Sequence, residues 1–115
     1  MTDLIACLTE KKGYKHVKRL INEADWSRVF LITREGVSDD FKFSKPVIKI
    51  IIDPKKPVKD VVQDIKSKLT FIFGEVGLNL VSGNGKEHMA IISAIMKSGA
   101  GFRLVGMTPD GITQL

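Results

Sequence analysis

A glycine-rich loop that carries one lysine is the segment of this sequence whose residue types are best suited to chemistry. The loop follows a short apolar run, precedes a segment with helical periodicity, and consists of Ser82, Gly83, Asn84, Gly85 and Lys86. Glycines let the backbone approach a ligand closely, and a helix N-terminus offers free N–H groups and a partial positive charge to an anion. We therefore interpret the loop as a candidate site for phosphate or another anion. In the alternative interpretation, it is a tight turn whose glycines serve only the backbone geometry and whose lysine is solvated.

Two phosphate-binding motifs do not match this loop. A Walker loop has a serine or threonine directly after its Gly-Lys pair, but here Glu87 follows Lys86. A dinucleotide fingerprint has a third glycine and lies early in the chain, whereas no third glycine follows Gly85 at the required spacing. The loop therefore indicates an anion without identifying it.

A second candidate loop follows the first apolar run, Leu4 to Leu8, and precedes a helical pattern that begins near Tyr14. This loop consists of Thr9, Glu10, Lys11, Lys12 and Gly13. Because the carboxyl ends of parallel strands meet at one edge of a sheet, we expect lysines from both loops to converge on one anion. Tyr14 would either stack on a nucleobase or pack at the start of its helix.

The remaining reactive side chains indicate structural roles. His16 and His88 each open a predicted helix, but neither belongs to a cluster with metal-ligand spacing, so we predict no metal site and no cofactor. Either histidine could act as a general base, although no serine or cysteine lies at a nucleophile elbow. Cys7 lies within an apolar run and is predicted to be an inert, buried thiol.

Hydrophobic periodicity places both loops in an α/β fold. Continuous apolar runs predict five buried strands, and stripes at i, i+3 and i+4 predict three amphipathic helices. The strands are predicted at 4–8, 28–33, 47–52, 78–81 and 102–107, and the helices at 14–24, 58–69 and 87–98. The order β-α-β-β-α-β-α-β predicts a single Rossmann-like three-layer domain over residues 1–115, with a mostly parallel five-stranded sheet.

Three segments between these elements are predicted to be irregular. Residues 34–46 show no helical stripe and are interpreted as a loop. Gly74 and Gly77 are expected to bracket a turn before the fourth strand, and residues 109–111 are expected to turn into a short tail.

Composition narrows the class of protein. The 115 residues suffice for one domain, and no apolar run approaches the roughly 18 residues that a membrane span requires. The N-terminus is unlike a secretory or transit signal and the single cysteine cannot form an internal disulfide, so we expect a cytoplasmic protein. The net charge of +5 favours an anionic partner, but the basic residues are scattered, which disfavours duplex nucleic acid. General RNA or DNA binding stays an alternative.

The third predicted helix is apolar around most of its circumference. Its only polar residues are Glu87, His88, Ser93, Lys97 and Ser98. Because a helix on one face of a sheet needs a single apolar stripe, we expect the surplus to be buried in a homodimer formed through the helix Glu87 to Ser98. The alternative is that this helix is central in its layer and packs only within the core.

The arrangement of these motifs resembles the CARF domains of type III CRISPR systems, which act in antiviral defence. The resemblance rests on the strand before the glycine loop, the loop with its helix, the following strand and a late Asp-Gly pair: Asn79 to Val81, Gly83 to Lys86, Gly99 to Val105, and Asp110 with Gly111. CARF domains are Rossmann-like dimers that bind cyclic oligoadenylate across a two-fold axis. The resemblance therefore implies such a ligand, with Thr9, Gly83 and Lys86 at the positions that match the family pattern. The family's Gly-Gly-Thr-Lys is Gly-Asn-Gly-Lys here, so the threonine hydroxyl is absent.

The resemblance also raises the question of catalysis. Some CARF proteins cleave their ligand without a metal, by positioning the ribose 2′-OH for in-line attack. The resemblance makes Lys86 the candidate catalytic residue, which would stabilise the charge that develops on the phosphate. Family members are often fused to a nuclease or DNA-binding domain, but nothing follows Leu115, so this chain would act alone or be a fragment of a longer protein. The competing hypothesis is a structural or protein-interaction module without a ligand.

Overall fold

Nine elements follow one another along the chain in a computed structural model that describes residues 2–115. Their bounds are β1 (Leu4–Cys7), α1 (Tyr14–Asn22), β2 (Val29–Arg34), β3 (Ile48–Ile52), α2 (Val58–Lys68), β4 (Glu75–Asn79), α3 (Gly85–Lys97), β5 (Gly101–Thr108) and β6 (Gly111–Gln114). Within residues 2–115, no helix is both long and apolar enough to cross a membrane.

The strands form one sheet in the order β3-β2-β1-β4-β5-β6. The first five are parallel, and Ile5 of β1 lies opposite Phe30 of β2 on one side and Leu78 of β4 on the other. The chain proceeds outward from β1 to β3 and then restarts at β4 on the opposite side of β1. The topological switch point, where α/β proteins bind their ligands, therefore lies between the carboxyl ends of β1 and β4.

Two apolar layers cover the sheet. On one face, α2 and α3 pack over alternate strand residues such as Ile5, Phe30 and Leu78. On the other face, α1 contributes Val17, Leu20 and Ile21, which form the stripe of an amphipathic helix. The predicted α/β class, three helices and mostly parallel sheet are confirmed.

The prediction of five strands is wrong, because the tail after residue 108 forms a sixth. Gly111 has a φ of +105°, a conformation that favours glycine, and it closes a hairpin in which it lies opposite Thr108. β6 is antiparallel to β5 and only four residues long. Its alternation of exposed and half-buried residues is too short to stand out in the sequence.

The fourth strand is also shifted relative to its prediction. It runs Glu75–Asn79, so Gly77 lies inside the strand and not in a turn before it. A Cβ placed on Gly77 would lie 3.1 Å from Cζ3 of Trp26, whose indole N–H donates to the Leu20 carbonyl at 2.8 Å. This glycine is therefore needed for the close approach of an aromatic ring, a requirement that comes from tertiary packing.

The connection between β2 and β3 contains no helix, as predicted, but it serves as part of a layer. Phe41 is buried against the α1 face of the sheet. The Tyr14 ring stacks on Phe41 with 4.4 Å between centroids, and its hydroxyl donates to the Lys42 carbonyl at 3.1 Å. Of the two roles considered for Tyr14, the structure shows packing.

Candidate functional site at the carboxyl edge

The two loops singled out in the sequence lie side by side at the switch point. The Thr9 hydroxyl, just after β1, donates to the Glu87 carboxylate in the first turn of α3 at 2.7 Å. A Cβ placed on Gly13 would lie 3.4 Å from Cβ of Ser82, so the far end of the first loop also contacts the second. The parallel topology therefore produces the juxtaposition expected from the sequence.

Gly83 lies where the glycine loop contacts the first loop, since a Cβ at this position would lie 3.1 Å from Thr9 Oγ1. The φ of Gly83 is +103°, and a Cβ at this position would lie 2.8 Å from Cys7 Sγ and 2.9 Å from Glu87 Oε1. Both the backbone conformation and the space around it therefore require glycine. By contrast, a Cβ on Gly85 would meet no atom within 4 Å, and its φ is not positive.

Asn84 and Glu87 cap α3 with two reciprocal hydrogen bonds, each side chain accepting from the backbone N–H of the other residue. The Asn84 side chain accepts from the Glu87 N–H at 2.9 Å, and the Glu87 carboxylate accepts from the Asn84 N–H at 3.0 Å, which together form a capping box. The cap explains why α3 begins at Gly85, two residues before its predicted start. Within residues 2–115 the N–H groups of Gly85 and Lys86 have no hydrogen-bond partner, as is usual in the first turn of a helix.

The Glu87 carboxylate joins three elements in what we call the Glu87 cluster: Thr9, Arg34, Asn84 and Glu87. Glu87 is only 3% exposed, and its Oε2 accepts from Arg34 Nε at 2.9 Å and lies 2.8 Å from Arg34 Nη2. Burial raises the pKa of this carboxyl, but the hydrogen bonds from Thr9, the Asn84 backbone and Arg34 outweigh it, so the net pKa lies below the ordinary value. Glu87 is therefore ionised and paired.

A cavity of about 450 Å³ adjoins this cluster at the ends of β2 and β3. Arg34 lines it with a side chain that is 29% exposed, so the guanidinium touches both the buried carboxylate and the cavity. Lys55 and Lys56 add two more cations, while the opposing carboxylates belong to Glu35, Asp53 and Asp64. Asp64 is paired with Lys56 at 2.9 Å.

Lys86 reaches toward the turn between β3 and α2. Its Nζ donates to the backbone carbonyl of Pro54 at 2.9 Å and also to that of Lys56. The two loops converge as expected, but the Lys86 ammonium is bound to these carbonyls at the rim of the cavity.

The ten predicted ligand residues fall into three groups by exposure. Thr9 and Ser82 are buried, and the Thr9 hydroxyl is used by Glu87. Gly13 and Gly83 are half-buried at the contact between the loops. The other six are exposed: Glu10, Lys11, Lys12, Asn84, Gly85 and Lys86.

Glu87 and Arg34 are the site residues that sequence reasoning missed. A glutamate three residues after a capping asparagine is a local signal that could have identified Glu87. Arg34 carries no such signal, because 53 residues separate it from its partner.

Cys7 lies beneath the glycine loop and carries no charge. It is fully buried, and burial, with the nearby charge of Glu87, raises its pKa to about 12. The thiolate needed for nucleophilic chemistry is therefore absent at neutral pH.

The two histidines make opposite hydrogen bonds. Nε2 of His16 lies 3.1 Å from Asn79 Nδ2 and accepts from the Met107 N–H at 3.3 Å; we call these three residues the His16 cluster. Nε2 of His88 lies 2.8 Å from the Ser82 carbonyl oxygen, which can only accept. His16 also borders an apolar cavity of about 330 Å³ between the ends of β4 and β5.

Within residues 2–115 no group of three or more His, Cys, Asp or Glu side chains lies close enough to hold a metal ion. The arrangement suits binding of an anion at a backbone-lined edge with cations around it. Comparison of the chain with protein-family models, with curated proteins and with solved structures found no match.

Proposed function

We propose that this protein binds an anionic nucleotide of the cyclic oligoadenylate class at the carboxyl edge of its sheet, as a Rossmann-like, CARF-like homodimer in the cytoplasm. The observation that carries the proposal is the contact between the two loops at the β1/β4 switch point, where Thr9 bonds Glu87 and Gly13 abuts Ser82. In α/β proteins this crevice is where ligands bind.

The groups around the crevice support an anion. The N–H groups of Gly85 and Lys86 point out of the first turn of α3, and Lys11 and Lys12 are exposed on the facing loop. The charge of Glu87 is balanced by Arg34 and therefore does not repel a phosphate as a free carboxylate would. We expect phosphate groups to lie between the N-terminus of α3 and the first loop.

The exposed face of α3 supports the homodimer. Met89 and Met96 are each 64% exposed and, with Ile92, Ser93 and Lys97, line an apolar groove of about 450 Å³. Pairing of this face across a two-fold axis would bury both methionines and bring two carboxyl edges together. Met96→Glu should then convert a dimer into a monomer in measurements of solution mass, whereas Lys68→Glu, which places a glutamate at an exposed position of α2, should not.

Titration with cyclic tetra-adenylate and cyclic hexa-adenylate tests the ligand, with linear oligoadenylate of the same length as the control. We expect saturable binding at micromolar ligand in low salt, with the cyclic form preferred. Absence of binding under these conditions would refute the nucleotide proposal. Equal, steeply salt-dependent binding of any oligonucleotide would instead indicate general RNA or DNA binding.

Lys12→Ala is the cleanest variant for this titration, because the exposed Lys12 side chain has no ion pair within residues 2–115. We expect weaker binding at an unchanged melting temperature. Lys68→Ala, an exposed lysine at the end of α2, is the matched control and should bind normally. Lys86→Ala should weaken binding too, but it also frees the turn at Pro54 and Lys56.

Cleavage of the ligand is tested on the same sample. After incubation with saturating cyclic ligand and a chelator, a sensor leaves the ring intact, while a ring nuclease yields linear products. In the second case Lys86 remains the candidate catalytic residue, and Lys86→Ala should slow cleavage more than Lys12→Ala does at saturating ligand.

A protein-interaction module is the second candidate, and one loop at the opposite edge favours it. Phe71 and Phe73 are 85% and 81% exposed, and Phe71 has a φ of +57°. Arg28 donates to the carbonyls of Thr70 and Phe71 and so holds this conformation. If the protein is an interaction module, the titration should show no nucleotide binding. The double variant Phe71→Ser, Phe73→Ser should then lower the solution mass of the complex that forms through this loop.

A further inference from the structure

His16 lies where three elements meet at the carboxyl edge. It is in the first turn of α1, directly after the loop 9–13, and its Nε2 faces Asn79 at the end of β4 and Met107 near the end of β5. Asn79 in turn precedes the glycine loop, and its Oδ1 accepts from the Val81 N–H at 3.2 Å. One imidazole therefore ties both candidate loops to β5.

The surrounding bonds determine which form of this imidazole the fold accepts. Asn79 Nδ2 donates to the Val105 carbonyl at 2.8 Å and Asn79 Oδ1 accepts from Val81, which fixes the orientation of the amide. The group that faces His16 Nε2 is therefore an N–H, and the Met107 backbone supplies a second N–H. Because two donors point at Nε2, this nitrogen must be the acceptor, and the proton of the neutral ring lies on Nδ1.

We propose that His16 is a pH-sensitive pin: its neutral ring holds α1 against the ends of β4 and β5, and its protonated ring releases them. Protonation places a third N–H against those of Asn79 and Met107, so both hydrogen bonds are lost. Since Asn79 and α1 each adjoin a candidate loop, release loosens both loops whatever they bind. The device therefore does not rest on the proposed ligand.

The surroundings of His16 also favour its neutral form at pH 7. Burial, and then the charge of Arg19 one turn further along α1, lower the pKa of this imidazole below its ordinary value of 6.5. The β4 and β5 residues around the adjoining cavity, among them Leu78, Asn79 and Met107, carry no ionisable side chain. Because the folded pKa is lowered, the stabilisation is fully present above pH 6.5 and is lost as pH falls toward the folded pKa.

His88 provides an internal control for this mechanism. Its Nε2 faces the carbonyl of Ser82, so that nitrogen donates, and a second proton on the ring leaves the bond intact. Acidification should therefore release the His16 contacts and preserve the His88 contact, although both histidines open helices at the same edge of the sheet.

The experiment compares the wild type with His16→Gln and His88→Gln. A glutamine oxygen can accept from the same donors and does not titrate. Between pH 7.5 and 5.0 we expect the hydrogen-exchange protection factor of the Met107 amide to fall by about tenfold or more in the wild type and in His88→Gln, which corresponds to about 1.4 kcal/mol. His16→Gln should show no such fall.

Three results would overturn the proposal: an equal fall in His16→Gln, no fall in the wild type, or loss of the fall in His88→Gln. If His16→Gln does not fold, imidazole nitrogen shifts of the wild type decide instead. They should show His16 protonated on Nδ1 alone at pH 7.5 and His88 protonated on Nε2. A proton on His16 Nε2 at that pH would refute the pin.

Discussion

The Glu87 cluster and the His16 cluster hold neighbouring parts of the same sheet edge by different chemistry. Glu87 is charged and bonded to a guanidinium, a hydroxyl and a backbone N–H. His16 is neutral and receives two N–H donors. The comparison shows that buried or half-buried polar groups can connect loops in either charge state, provided that every partner matches that state.

Because of this difference, the two clusters should be disrupted at different acidic pH values. The lowered pKa of Glu87 keeps its cluster intact to more acidic pH than an ordinary carboxyl would allow, whereas the His16 contacts are lost in a range that begins near neutrality. Acidification should therefore separate α1 from β4 and β5 before it separates α3 from β1 and β2.

Among the variants that compare the two clusters, replacement of Glu87 should lower the stability of the protein most. Glu87→Gln leaves the Arg34 guanidinium without its counterion, and we expect the free energy of unfolding to fall by about 3 kcal/mol. Denaturant unfolding at pH 7.5 measures it. Glu23→Gln, which breaks the exposed pair with Arg19, is the matched control and should show no measurable change. A similar loss in both variants would contradict the special role of the buried pair.

The glycine loop offers a pair of variants within three residues. Gly83→Ala places a Cβ against Cys7 Sγ and Glu87 Oε1 at a positive φ, so we expect a loss of about 2 kcal/mol. Gly85→Ala meets no neighbour in the first turn of α3 and should stabilise the protein by about 0.5 kcal/mol. Thermal and denaturant unfolding measure both, and equal effects would show that the loop is not tightly packed.

As pH falls, the wild type should lose the stabilisation from the His16 cluster first and that from the Glu87 cluster second. The contribution of His16 should disappear as pH falls below about 6.5, and that of Glu87 as pH falls below about 4.5, because both folded pKa values are lowered. His16→Gln should remove the first loss and Glu87→Gln the second. A single loss that both variants remove would mean that the clusters unfold as one unit.

The smallest expected effect is a change in the rate at which the Cys7 thiol is alkylated. This buried, neutral thiol should not react with iodoacetamide at pH 8 unless the protein unfolds. Glu87→Gln removes a negative charge that raises the thiol pKa and opens the loop above it, so labelling should become measurably faster. Rapid labelling of the native wild type would contradict the burial of Cys7 beneath Gly83.

Much of this edge could be predicted, because it follows from local patterns. Apolar runs located four of the five parallel strands to within about two residues, and the topology rule then placed the loops of Thr9 and Gly83 together. Gly77 was misplaced, because a glycine required by the ring of Trp26 looks in sequence like a glycine required by a turn. β6 was missed, because four weakly alternating residues carry little periodic signal.

The sequence by itself determined the α/β class, the direction of the sheet and the pair of loops at its switch point. Hydrophobic periodicity is repeated within each element, so it can be recognised without knowing which elements pack against one another. Only the tertiary structure decided that Arg34 reaches Glu87, that Lys86 bonds the turn at Pro54, and that Asn79 and Met107 meet His16. These contacts join residues from 32 to 91 positions apart. Such partners depend on where the folded sheet and its helices bring the ends of each element, which no local pattern records.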